Sequence, residues 1–169
     1  TSQGNACKGI DVKYLTHFEL VDSVIKNCNS PTNGGAFSYR LGSQYDKAIL
    51  PAEANYTENL VFRNLTIDDC VSKTNNGRAI FMTATSAEVS FFNLTIQHIK
   101  RKDGFIFTMG HTSKINDAVR FEKCNFIDCS TNLADGGGLG FWCSDEEEIR
   151  FEECLFQELT ATQNGGAIS

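Results

Sequence analysis

"FEECLFQELTATQNGGAIS" fills residues 151–169, and "LVDSVIKNCNSPTNGGAFS" fills residues 20–38. Each opens on a large apolar residue, carries apolar residues five and eight places later, and reaches Asn-Gly-Gly-Ala at the same offset. Three further phrases open at Phe62, Phe91 and Phe121, so the steps between openings are 42, 29, 30 and 30 residues. With each opening counted as position zero, the residues at −2 are Phe18, Leu60, Val89, Val119 and Ile149. Position +3 holds Ser23, Leu65, Leu94, Cys124 and Cys154. Position +5 holds Ile25, Ile67, Ile96, Phe126 and Phe156, and position +8 holds Cys28, Cys70, Ile99, Cys129 and Leu159.

The pairs −2/0 and +3/+5 have the two-residue period of a strand with one buried face. The odd step from 0 to +3 marks a corner, and the helical i, i+3, i+4, i+7 pattern is absent. A glycine turn and a second short apolar segment follow each phrase: "NGGAF", "NGRAIF", "DGFIF", "GGGLGF" and "NGGAI". The segment after the turn points Ile80, Phe107 or Leu139 inward. One phrase cannot bury its own apolar face, whereas stacked copies can. The spacing therefore predicts an all-β chain, a right-handed parallel β-helix or solenoid of about five to six coils of 29–30 residues. It spans residues 1–169 as a single segment of a longer solenoid, with a loop insertion at 42–59 that absorbs the long first step. A β-sandwich of short strands is the competing reading; recurrence in phase with the glycine turn disfavours it.

Composition narrows the function classes. The apolar fraction is 41%, enough for a core in 169 residues. The net charge is −6 with no polybasic run, which argues against nucleic acid as a partner. No apolar run is long enough to cross a bilayer. The triple glycine at 136–138 is not followed by a helix pattern, so no nucleotide loop is expected, and no G-x-S-x-G occurs. Cysteines and histidines lack zinc spacing, so neither a metal nor a cofactor is expected.

Four sets of residues are candidates for chemistry or modification. N-x-[ST] acceptors for glycosylation stand at Asn55, Asn64 and Asn93. Asn64 and Asn93 share position +2, where a stack of hydrogen-bonded amides is the alternative. Cys28 and Cys70 share one column, and Cys124 and Cys154 another; vertical disulfides and buried apolar filling are both open. Position +7 reads Asn27, Asp69, His98, Asp128 and Glu158, an outward row. Asp69 and Asp128, two steps apart, would lie roughly 9–10 Å from each other with His98 between them. That separation suits inverting glycoside hydrolysis, so a polysaccharide-active hydrolase or lyase on this face is the alternative to a non-enzymatic chain.

"NGGAI" at 164–168 and "NGGAF" at 33–37, each downstream of a phrase such as "FEKCNFIDCS" at 121–130, carry a family resemblance. They resemble the repeats of the polymorphic membrane proteins, bacterial autotransported surface adhesins marked by G-G-A-[ILV] and F-x-x-N. Large protist surface proteins with "F-x-x-C…GGAI" repeats are more similar, because Cys129 in "FIDC" stands where the bacterial motif has Asn. The resemblance runs from about Phe18 onward. It implies an extracellular or cell-surface β-helix used in adhesion or surface structure. On that reading the partners are other copies or neighbouring segments end to end, together with host or cell-surface glycans or proteins, and no membrane span lies in this segment.

Overall fold

The computed structural model describes residues 9–13, 17–30, 34–40, 58–72, 79–84, 87–101, 106–111, 118–131, 139–142, 148–161 and 166–168. Its strands are β1 (Ile10–Lys13), β2 (His17–Lys26), β3 (Asn29–Ser30), β4 (Phe37–Arg40), β5 (Glu58–Asp68), β6 (Val71–Ser72), β7 (Ile80–Ala84) and β8 (Ala87–Gln97). They continue with β9 (Lys100–Arg101), β10 (Phe107–His111), β11 (Ala118–Glu122), β12 (Asn125–Thr131), β13 (Leu139–Trp142), β14 (Glu148–Glu152) and β15 (Leu155–Ala161). No helix occurs among the described residues. Every strand pairing among them is parallel, unlike the antiparallel sheets of a sandwich.

Register follows the repeat. Leu20 pairs with Phe62, Phe62 with Phe91, Phe91 with Phe121, and Phe121 with Phe151. One sheet has the order β1-β4-β7-β10-β13 and carries the segments after the glycine turns. The largest sheet joins β2, β5, β8, β11 and β14, and continues past the corner through β12 and β15. A third, short pairing joins β3 to β6. Residues 42–57 of the expected insertion, with Asn55, lie outside the described residues; Glu58 and Asn59 already belong to β5.

Between the sheets lies a single core. Phe62, Phe91 and Phe121 are buried and stack with Phe151, ring centroids 4.8, 4.7 and 4.9 Å apart along the file. Phe126 stacks on Phe156 at 5.2 Å. Leu65, Leu94, Ile67, Ile96, Ile80 and Leu139 fill the adjoining columns. The separations match the inter-strand distance, so each ring sits on its equivalent one repeat away. Parallel-displaced rings contribute about 0.5–1.5 kcal/mol per pair beyond the area they bury.

The corner between 0 and +3 has a specific backbone cause. Asp22, Asn64, Asn93, Lys123 and Glu153, all at +2, have φ between 48° and 55°. That left-handed turn reverses the in/out alternation, so Arg63 and Asn64 are both exposed between buried Phe62 and Leu65. A second left-handed column occupies +7: Asn27, Asp69, His98, Asp128 and Glu158, with φ between 49° and 57°. In the glycine turn Gly34 has φ 71°, and a Cβ there would collide with the Phe37 carbonyl. The alanine of the same motif is equally constrained: Ala36 and Ala79 are fully buried, and Ala36 N–H donates to the Ala79 carbonyl at 2.9 Å.

Candidate functional site

The +7 residues form a column because their backbone amides point along the stack. Asp69 N–H donates to the Gln97 carbonyl and His98 N–H to the Ile127 carbonyl, each at 3.2 Å. Asp69, His98 and Asp128 therefore occupy successive repeats on one outer edge. Their side chains do not join. Among the described residues, no hydrogen bond or ion pair links Asp69, His98 and Asp128 to one another.

His98 instead turns its Nδ1 to Asp68 Oδ1 at 2.7 Å, and Asp128 Oδ2 receives Lys100 Nζ at 2.8 Å. Asp68 and Lys100 are the two residues that spacing alone did not single out. Their signal was their position one place before, and two places after, the titratable column. The His98 hydrogen bond holds the Asp68 carboxyl below its ordinary range, outweighing partial burial, which acts the other way. That is the direction opposite to the raised carboxyl a general acid requires. Asp128 pushes the Lys100 ammonium up, first by its hydrogen bond and then by its charge. The arrangement is one hydrogen bond, His98 to Asp68, and one ion pair, Lys100 to Asp128, each bridging neighbouring repeats at the surface and each of the kind that contributes at most about 1 kcal/mol.

Asn64 and Asn93 form an amide ladder. Asn64 Nδ2 donates to Asp22 Oδ1 at 2.7 Å, and Asn93 Nδ2 donates to Asn64 Oδ1 at 3.0 Å. The donor atom is the one to which a glycan would attach; each amide carries two N–H groups, so one remains for either purpose.

The five described cysteines are thiols. All five sit directly after a left-handed residue in the core columns: Cys28, Cys70 and Cys129 at +8, Cys124 and Cys154 at +3. Cys124 Sγ lies 3.4 Å from the Phe91 carbonyl oxygen of the preceding repeat and 3.3 Å from Glu122 O, two acceptors within reach of its one S–H. Cys154 repeats the pattern on Phe121 O and Glu152 O, and Cys129 on Ile96 O and Ile127 O. The thiol is thus a small apolar filler that also satisfies a corner carbonyl. Burial pushes the Cys70 and Cys124 thiols up to about 12 and Cys129 to about 11. Such thiols are poor nucleophiles.

Among the described residues no group of three or more His, Cys, Asp or Glu could hold a metal ion. No helix there is long and apolar enough to cross a membrane. No protein-family model matches the chain, nor does any curated protein or solved structure.

Proposed function

We propose that the chain is a stretch of right-handed parallel β-helix, about five to six coils of 29–30 residues, working outside the cell as a structural or adhesive module. It assembles end to end, with other copies or neighbouring segments, into fibres or a surface layer. The observation behind this reading is the in-register aromatic file, a column of like residues that a further coil can extend. Phe62, Phe91 and Phe121 are buried, but Leu20 at one end and Phe151 at the other are only half-buried. Phe18 and Ile25 on the first edge, and Ile149, Phe156 and Leu159 on the last, are half-buried in the same way. Among the described residues β2 and β14 each have one sheet partner, and they carry the same apolar columns, which suit pairing with a further coil of like pattern. N-glycosylation at Asn55, Asn64 or Asn93 belongs to the same proposal, and glycopeptide mass spectrometry of material from its native source tests it.

Sedimentation velocity across a concentration series, with negative-stain microscopy of the same samples, tests the assembly. The expected result is a rising sedimentation coefficient and linear particles one chain wide. A single monomeric boundary at every concentration contradicts it. The same preparation addresses the enzymatic alternative. Incubation with acidic and neutral polysaccharides is expected to release no reducing ends. Release that disappears in Asp128→Asn would make the Asp69, His98 and Asp128 column catalytic instead.

A further inference from the structure

The outward face of the large sheet is not uniformly flat. Where β5, β8 and β11 run side by side, a groove of about 480 Å³ opens, within the range of small-ligand sites. Its geometry follows from the register. Arg63 pairs with Phe92, Phe92 with Glu122, and Ser90 with Arg120. All five residues of this set face outward, because they occupy positions −1 (Ser90, Arg120) and +1 (Arg63, Phe92, Glu122) around the buried phenylalanine file. With strands about 4.8 Å apart and alternate residues about 7 Å apart along each, the two arginines stand at opposite corners of the groove, their Cα atoms roughly 12 Å apart.

The charges here are unevenly satisfied. On the same face Arg150 pairs with Glu152 at 3.0 Å, and Lys123 with Glu122 at 3.5 Å. Among the described residues, neither Arg63 nor Arg120 has a carboxylate within 4 Å, although the chain as a whole is net acidic. Two uncommitted guanidinium groups thus flank Phe92, which is 36% exposed. Lys123 Nζ lies 5.3 Å from the Phe92 ring centroid and near Glu122 and Glu153, a third cation at the groove held by exposed contacts. Glu88 adds an acceptor at the groove's margin.

We infer that this groove binds an anionic glycan, and the inference rests on the adhesive reading above. Arg63 and Arg120 take the carboxylate or sulfate groups, for which the guanidinium fork is suited. Phe92 offers its face to the C–H side of a sugar ring, and Ser90 and Glu88 meet the hydroxyls. A protein partner fits less well, because one exposed ring in a polar groove is not the dense apolar centre that protein interfaces use. Two arginines in a short groove, with no polybasic run elsewhere in the sequence, are too few cations to follow a phosphate backbone, which disfavours nucleic acid.

Isothermal titration with three probes tests this: a heparin-derived sulfated hexasaccharide, an oligogalacturonate, and neutral dextran fragments. Binding is expected to at least one anionic probe and not to dextran, and it weakens as salt is raised. Which anionic probe binds more tightly distinguishes sulfate from carboxylate. Arg63→Gln and Arg120→Gln each weaken it about tenfold, the size of one lost charged hydrogen bond. Phe92→Ser weakens it without changing the salt dependence. Each variant is first checked for an unchanged thermal midpoint, since all three positions are surface-exposed. No binding to either anionic probe, equal binding of dextran, or unchanged affinity in the double arginine variant overturns the proposal. The assembly reading is read separately by sedimentation without any glycan, so failure of one leaves the other standing.

Discussion

Asn93 shows how much one residue carries in this chain. It holds a left-handed backbone conformation at φ 52°, and its side chain is a link in the amide ladder. Asn tolerates that conformation better than other non-glycine residues. Asn93→Ala is expected to cost about 1–2 kcal/mol, from backbone strain plus a lost hydrogen bond, whereas Asn93→Gly loses only the second part. Lys123 occupies the same position one repeat on, at φ 55°, with a side chain less suited to it. Lys123→Asn should therefore raise stability by about 0.5–1 kcal/mol, extending the ladder and easing the strain. Urea midpoints of the three variants check both signs. Titration gives two further expectations. Asp68 is held below its ordinary value of 3.8, so the unfolded chain binds its proton first. Its small contribution is present above pH 4 and is lost as pH falls through the folded value; Asp68→Asn should flatten the acid side of the stability curve. The thiols act at the other end. Their folded values of about 11 to 12 exceed the ordinary 9, so the native state keeps protons that the unfolded state loses. Stability should fall as pH rises above 9, and Cys70, Cys124 and Cys129 should resist alkylation at pH 8 until denaturant is added.

At the scale of strands, packing decides. Phe91 is buried between Phe62 and Phe121 at 4.8 and 4.7 Å, and Phe91→Ala leaves a cavity no neighbour can fill. It should cost about 3–5 kcal/mol; Phe151→Ala, half-buried at the last strand, should cost clearly less. Chemical denaturation of the two variants measures the difference. The same strands explain what could be read from the chain beforehand. In parallel in-register stacking, like residues meet like, so Phe62, Phe91, Phe121 and Phe151 announce their column by spacing alone. The corner at +2 was visible as an odd step in the apolar pattern. The left-handed turn at +7 lies under an equally odd step, from +5 to +8, and spacing showed only that its residues face outward. The partners of that column were not legible. His98 meets Asp68 and Asp128 meets Lys100 through rotatable side chains, and their direction is not fixed by the repeat. The groove beside Phe92 escaped for a different reason: its residues lie on the outer positions, where the repeat imposes no pattern.

For the molecule as a whole, the long-range order is one-dimensional: each strand pairs with its equivalent in the next repeat. Stability in such an array depends on nearest-neighbour contacts, and ends are weaker than the middle. Hydrogen exchange should accordingly protect β5 and β8, which are flanked on both sides, more than β2 or β14. The account stands on the vertical alignment of the phenylalanine rings. Nuclear Overhauser spectroscopy on protein labelled only in its Phe rings measures that alignment directly. The expected spectrum has cross-peaks linking Phe62 to Phe91, Phe91 to Phe121 and Phe121 to Phe151, as ring centroids 4.7–4.9 Å apart require. Strong signals from well-ordered rings of Phe91 and Phe121 that show no cross-peak to each other would contradict it.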